Sequence, residues 1–285
     1  MYKTIDKMQG EYPIQQLCQV LSVSRSSYYN WRNAKTYRIN PASKSMEDQV
    51  VAVFKANKRR YGTRRIVAEL RHQDVQTSRY RVRKALYRNG LKAIQPRSFV
   101  PKTTNSRHPY PISPNVLKEK GFPGSVNEVW VGDITYIPMA NGTFRYLSVW
   151  MDLYSRKIVG WDLQDHMKES LVVASLRKAL GVRKPPRNLV IHSDRGGQYA
   201  GKKLRRLIAK YQLTQSMSDA DNPYDNAHME SCFSRFKAEL MEGGAFESAE
   251  DSQTEIFEFI EMYYNPKRLH SSIGYLSPNA YENTF

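Results

Sequence analysis

Three acidic residues stand where their neighbours argue against them. Asp133 interrupts the apolar run EVWVGDITYI (128–137), and Asp194 closes NLVIHSD (188–194), whose Leu189, Val190 and Ile191 belong in the middle of a sheet. Glu230 opens a helical stretch with an apolar stripe of Met229, Phe233, Phe236 and Leu240. At roughly 100° per residue, Glu230 and Lys237 project within about 20° of each other at the edge of that stripe. If the helix packs on the sheet, three carboxylates converge at one end of the fold, where they repel unless they share cations. Oxygen ligands without cysteine select hard ions, Mg2+ or Mn2+. Two such ions about 3.5–4 Å apart can activate an attacking oxygen and stabilise a leaving one in phosphodiester chemistry.

The elements that must position these groups follow from the local patterns. Strands are expected at 128–137, 144–154 and 157–163, with Asn141-Gly142 as the hairpin turn between the first two. A helix from Lys168 to Leu180, closed by Gly181, leads to the strand at 188–194. A basic helix from Gly201 to Tyr211, a brief strand LTQSM and a long helix from Asn226 to Leu240 complete the order βββαβαβα. This is an α/β arrangement, a mixed sheet covered by helices. Six of the fourteen prolines fall between Pro96 and Pro123, so residues 95–125 read as an extended linker and 126–285 as the domain that carries the carboxylates.

Residues 1–94 have a helical period and two helix-turn-helix outlines. The first runs through Ile14, Leu17, Val20 and Leu21, breaks at Ser22-Val23-Ser24 and resumes to Trp31. In the second, Thr63 caps a helix with Ile66, Val67 and Leu70 inward; Thr77 or Ser78 caps another with Tyr80, Val82, Leu86 and Tyr87 inward, stopped by Gly90. Arg79, Arg81, Arg83, Lys84 and Arg88 fill most of the last helix's remaining surface. Five cations without an acid among them are costly unless phosphates neutralise them, so this helix is expected to lie along or in a DNA groove.

Charge divides the chain in the same way. Residues 1–120 hold 25 Lys/Arg against 7 Asp/Glu, whereas 121–285 hold 19 against 20. The whole net charge of +17 therefore sits in an anchoring part suited to a polyanion, and a nearly neutral part does other work. Arg195, Lys202, Lys203, Arg205, Arg206 and Lys210 form a second acid-poor track, read as a phosphate path. The apolar runs are far shorter than the ~20 residues of a membrane span. Cys18 and Cys232 are too far apart in the chain, and too few, to suggest a disulfide framework or a zinc site. A soluble protein of a reducing cytoplasm, associated with DNA when bound, is expected, with no membrane partner.

Spacing makes the carboxylate reading specific. Sixty residues separate Asp133 from Asp194 and 35 separate Asp194 from Glu230, with Lys237 seven positions after the Glu. Together with WVGDITY, HSDRGGQY, NPYDNAHMESCFSRFK and YYNPKRLHSSIGYLSP, in that order, the chain resembles the OrfB product of the insertion-sequence-three family of transposases. SVSRSSYYNW and RRYGTRRIVAEL are similar to that family's amino-terminal DNA-binding part, so the resemblance covers essentially the whole chain. It implies a retroviral-integrase-like core with an RNase H-like fold and a DDE triad of Asp133, Asp194 and Glu230 holding, with Asp133 as the bridge, two Mg2+ or Mn2+ ions. It also implies cleavage at transposon ends to free a 3′-hydroxyl, followed by strand transfer on the copy-out route, without a covalent enzyme intermediate. The partners implied are transposon ends and target DNA, further copies of the chain on DNA, and an upstream OrfA protein or its frameshift fusion.

Other residues keep two readings. Lys237 is an exposed helix lysine or, as its family position implies, a phosphate contact beside the metals; Asn226 is a first-turn polar residue or a DNA contact. Lys202, Arg205 and Arg206 are a solvated face or part of the phosphate track. His192, on one strand face with Asp194, is a hydrogen-bond partner of the site or a structural histidine. Asp152 is expected to pair with Arg156 at a strand end. Where the family often has a basic segment before YDNA, this chain has Ser218-Asp219-Ala220-Asp221-Asn222, which places negative charge near a bound strand, and Gly132 stands where a polar residue is commoner. The alternative from another class is a noncatalytic DNA-binding regulator of transposition; an intact triad argues against it.

Overall fold

The computed structural model describes residues 1–33, 41–95, 109–219, 227–242 and 244–285. The amino-terminal part is helical. Helices α1 (Tyr2–Met8), α2 (Ile14–Val20) and α3 (Arg25–Arg32) close around Ile5, Leu17, Cys18 and Tyr28. Ser24 caps α3, its hydroxyl accepting from Ser27 N at 3.1 Å. A second cluster joins α4 (Pro41–Ala56), α5 (Thr63–His72) and α6 (Arg79–Arg88) through Val50, Phe54, Ile66, Leu70, Val82 and Leu86. Helix α4 has no counterpart among the sequence expectations, although Met46, Val50, Val53 and Phe54 repeat with helical period.

Two expectations for this region need correction. Thr63 does not cap α5: it is the first helical residue, and the capping position is Gly62, which has no side chain to offer. Ser78 does cap α6, accepting from Arg81 N at 3.4 Å. Tyr80 and Tyr87 are not inward but 71% and 86% exposed. Val82, Ala85 and Leu86 complete the buried stripe, and residues 80 and 87, seven apart, share the opposite face.

The sheet has five strands, β1 (Val129–Pro138), β2 (Phe144–Asp152), β3 (Ile158–Gln164), β4 (Val190–Ser193) and β5 (Thr214–Met217), in the order β3-β2-β1-β4-β5. The first three form the expected antiparallel meander; β4 and β5 run parallel to β1. In the β1–β2 turn Gly142 takes a φ of +80° and Asn141 Oδ1 accepts from Thr143 N at 3.0 Å. Helix α7 (Val116–Lys120) precedes the sheet, and Ser216 Oγ of β5 accepts from its Val116 and Leu117 N–H groups at 3.0 and 3.3 Å. This part of the proline-rich stretch therefore packs on the β5 edge rather than running extended, and Met217 N of β5 donates to the Pro114 carbonyl at 3.4 Å.

Each face of the sheet carries its own core. On one side Trp130, Trp150, Val159 and Ile191 pack against α8 (Glu169–Arg183), α9 (Gly197–Ala200) and α10 (Lys202–Lys210). Helix α8 runs through Gly181 to Arg183 and ends at Lys184 in the left-handed region, so Gly181 does not close it. On the other side Val129, Val131, Ile137, Val149 and Val190 meet Met229, Phe233 and Phe236 of α11 (Ala227–Met241). Helix α12 (Ala249–Phe257), a π-helical turn at Glu258–Tyr264 and α13 (Pro278–Glu282) complete the chain. Gly132 has a steric reason: a Cβ there would lie 2.4 Å from the Trp150 ring. Among the described residues no helix is long and apolar enough to cross a membrane.

Candidate active site and nucleic-acid interface

Asp133 and Asp194 are brought together by strand register. β1 and β4 pair in parallel as Val129 with Val190, Trp130 with Ile191 and Val131 with His192. The ladder ends there: Asp133 lies two residues further along β1, which runs on to Pro138, and Asp194 lies two residues past His192, just beyond the end of β4. Strand alternation turns Asp133 to the face occupied by α11, because Val129 and Val131 lie in that core. Asp133 Oδ1 accepts from Ile134 N at 2.7 Å. Beyond the end of β4, Asp194 Oδ1 accepts from Gly196 N at 2.9 Å. A Cβ on Gly196 would stand 3.0 Å from that oxygen, so the absence of a side chain lets the loop fold onto the carboxylate.

The carboxylates share a buried neighbour that the sequence reading missed. Burial, and then the charges of Asp133 and Asp194, push the Tyr199 phenol far above its ordinary value. Its ring packs edge-on against Trp150, with centroids 5.8 Å apart. The hydroxyl lies beside Ser148, whose Oγ is 2.8 Å from Ser175 Oγ, and has no partner of hydrogen-bonding geometry. Nothing in the pattern HSDRGGQY separates this tyrosine from an ordinary core aromatic.

Helix α11 brings the third member. Glu230 lies on its first turn, beside Met229, which is wholly buried against the sheet; the Glu230 side chain is outside the described residues, as is Asn226 altogether. Two turns on, Lys237 is half-buried: desolvation draws its ammonium down and the Asp133 charge opposes this. An exposed helix lysine is therefore not what Lys237 is. Among the described residues no three His, Cys, Asp or Glu side chains gather in one metal-binding group. The donor chemistry nonetheless fits a hard cation: Asp133 of β1 and Asp194 just past the adjacent β4 offer carboxylate oxygens, and the helix that carries Glu230 packs on the same sheet.

His192 is structural, wholly buried with Nδ1 2.9 Å from Ser216 Oγ and Nε2 3.2 Å from Ser218 Oγ, so it ties β4 to β5 and the segment after it. Asp152 does not pair with Arg156. It is buried, accepts from the backbone N–H groups of Asn127, Tyr154 and Ser155 at 2.7, 3.0 and 3.0 Å, and has Arg183 Nη2 at 3.9 Å. Arg156 touches it only through the backbone, its N–H donating to the Asp152 carbonyl at 2.9 Å, because the tight turn after β2 directs the backbone inward. Asp219 is compensated by Lys118 Nζ at 3.2 Å and Arg195 Nη2 at 3.5 Å, which also takes Arg195 out of the uniform phosphate track.

The cationic helices are exposed. Arg79 and Arg83 face solvent on α6, with Tyr80 and Tyr87 beside them and the Lys84 ammonium 6.0 Å from the Tyr80 ring centre. Arg88 is exposed too but sits 3.4 Å from Glu47 of α4. On α10, Lys202 and Arg206 are exposed and Arg205 is half-buried. Glu169 reaches from α8 to accept from Leu204 N at 2.8 Å, so this acid-poor stretch takes a carboxylate from elsewhere at its amino end.

A five-stranded mixed sheet with helices on both faces, preceded by a helix-turn-helix region, is the architecture of a DNA transposase with an integrase core, an enzyme of the polynucleotidyl-transferase class. Residues 124–223 and 230–285 match integrase core domain families, and residues 43–99 match the HTH-like domain family. The chain is 38% identical to the transposase InsF of insertion sequence IS3A from Escherichia coli over 285 residues, covering 99% of this chain and 98% of that one. It is 38% identical over 237 residues to the transposase of insertion sequence element IS904 from Lactococcus lactis, covering 83% and 93%. The protein belongs to the IS3 family of transposases. The catalytic core of an HTLV-2 integrase, solved with magnesium in a trimeric form, shares 13% identity and a TM-score of 0.41, covering 54% of this chain and 96% of that one.

Proposed function

We propose that this transposase cuts the 3′ ends of its element and transfers them to target DNA, with Asp133, Asp194 and Glu230 as ligands of two Mg2+ or Mn2+ ions. The observation that carries the reading is the placement of Asp133 and Asp194 two residues beyond the paired stretch of the adjacent parallel strands β1 and β4, in the sheet on which the helix of Glu230 packs. Bound there, the ions would lower the pKa of an attacking water or 3′-hydroxyl and stabilise the leaving oxygen. The protein's own part is placement. β1 and β4 fix two carboxylates by backbone pairing, α11 supplies the third, and Lys237 holds the scissile strand by its phosphate. Tyr199 and Trp150 fill the core on the opposite face of the sheet.

Residues 1–94 serve in this reading as the DNA-binding region, 95–125 as the connection and 126–285 as the catalytic core with its helical extension. Arg79, Arg83 and Arg88 of α6, with Lys202, Arg205 and Arg206 of α10, supply phosphate contacts, and Asn226 a further DNA contact. The working form is an oligomer on paired transposon ends, with an OrfA partner or fusion supplying further end recognition. The test is a cleavage and joining assay on duplexes that carry the element's ends. Nicking and joining should require Mg2+ or Mn2+ and cease in chelator. Persistence in chelator would exclude the metal reading, and end binding without cutting would return the chain to the class of noncatalytic regulators.

A further inference from the structure

The segment RRYGTRR (59–65) belongs by sequence to the helical region, yet its side chains reach into the other half of the molecule. Arg65 Nη1 donates to Glu239 Oε1 at 2.9 Å, and Arg268 donates to the same carboxylate through Nε at 2.7 Å and Nη2 at 2.8 Å. Arg60 Nε donates to the Glu239 carbonyl at 2.9 Å, and its guanidinium lies over the rings of Tyr263 at 4.4 Å and Phe259 at 5.1 Å. Tyr61 Oη donates to the Lys267 carbonyl at 3.2 Å and accepts from Leu269 N at 3.0 Å, while the Leu269 side chain is buried in the core of α4, α5 and α6. Arg59 meets Glu242, just past α11, at 2.8 Å.

Glu239 lies on α11, two residues after Lys237 and nine after Glu230. A carboxylate this deeply buried holds its position only while both guanidiniums hydrogen-bond to it. We propose that Arg65, Glu239 and Arg268 form a joint that fixes α11, so that the helix-turn-helix region is part of the support of the active site and Arg65 is a positioning residue for Glu230 and Lys237. Arg60, Tyr61 and Arg65 of this segment dock to the catalytic core. A rigid helix clamped from outside its own domain keeps a ligand within the few tenths of an ångström that catalysis requires. The proposal rests on the three-carboxylate reading for its effect on chemistry, but the joint itself does not.

The experiment uses the full chain with Arg65→Met, which leaves Glu239 bonded to Arg268, and Arg65→Lys as the conservative rescue. Hydrogen exchange of the 227–241 amides is followed with duplex affinity, Mn2+ affinity measured with the metal alone, and the kcat and KM of end cleavage. In Arg65→Met, exchange across α11 should rise roughly tenfold while that of α6 is unchanged. Duplex Kd and KM should stay within about twofold, and kcat and Mn2+ affinity should fall roughly tenfold or more, with Arg65→Lys recovering most of the loss. Unchanged α11 exchange, or a loss of duplex affinity that matches the loss of activity, would overturn the proposal. If Arg65→Met does not fold, Arg60→Gln, which removes a bond to a backbone carbonyl and a ring contact, should show the same pattern more weakly. Wild-type protein that neither binds Mn2+ nor cuts would refute the carboxylate reading, while the exchange data would still decide on the joint.

Discussion

Asp133 and Asp194, with sixty residues between them in the chain, each lie two residues beyond Val131 and His192, the last pair of the parallel β1–β4 ladder. Their relation is therefore fixed by backbone hydrogen bonds rather than by side-chain packing, and removing either charge leaves the pairing untouched. Asp133→Asn, Asp194→Asn and Glu230→Gln should each abolish cleavage and joining while melting at or above the wild-type temperature without metal, since clustered carboxylates repel. Double and triple variants should lose little beyond a single one, because groups that act as a unit are not additive. Wild type alone should gain thermal stability from Mg2+. Near wild-type cutting by Glu230→Gln would remove it from the triad.

Tyr199→Phe removes a hydroxyl that is buried without a sound hydrogen bond. Loss of an unsatisfied buried polar group should leave stability unchanged or raise it by about 1 kcal/mol. Tyr199→Ala should instead cost about 3–5 kcal/mol by opening a cavity under Trp150. Denaturant titration of the metal-free protein reads both; a clear loss in Tyr199→Phe would mean that the hydroxyl is engaged by Ser148.

On α6 the cations and the aromatics should separate by salt dependence. Arg79→Ala and Arg83→Ala should each weaken duplex binding and reduce the slope of log K against log salt by about 1. Tyr80→Ala and Tyr87→Ala, both exposed, should leave stability within about 0.5 kcal/mol. They should lower affinity for the element's ends without changing the slope. Binding measured from 50 to about 200 mM salt checks this, and an unchanged affinity in all four variants would make α6 a solvated face.

His270 supplies a pH signature for the joint between the two halves. Burial and then the guanidiniums of Arg268, Arg65, Arg156 and Arg235 hold it well below its ordinary value of 6.5, and the Tyr264 ring packs edge-on against it at 5.0 Å. A histidine kept neutral in the fold binds fewer protons than in the unfolded chain, so stability is full above the unfolded value and falls as pH drops below about 6.5. Glu239, held below its ordinary range despite burial by its two arginines, adds a further loss at lower pH. His270→Gln should flatten the first part of the decline. Chemical denaturation at a series of pH values tests it, and equal slopes in the two proteins would assign the sensitivity to other groups.

Local pattern carried much of this protein. Alternating or apolar runs made β1 to β4 legible, and the out-of-place acids Asp133 and Asp194 marked the site because strand interiors seldom tolerate a carboxylate. The stripe of Met229, Phe233 and Phe236 oriented α11, and the basic excess before residue 120 marked the DNA-binding end. Each of these signals is periodic or compositional, so it survives in one dimension.

What the tertiary structure decided depends on neighbours that no local window contains. Whether Tyr80 and Tyr87 are buried was settled by which faces of α6 are covered by α4 and α5, and the helical period alone fits more than one face. Asp152 found Arg183 rather than the nearer Arg156, since a turn fixes where the backbone points before side chains compete for partners. Arg60, Tyr61 and Arg65 look like any basic segment until the fold sets Glu239 and Leu269 against them. Sequence fixes the chemical character of each group through its type and local period; the pairing of buried charges is a contact between distant segments, and only the packed chain brings them within hydrogen-bonding reach.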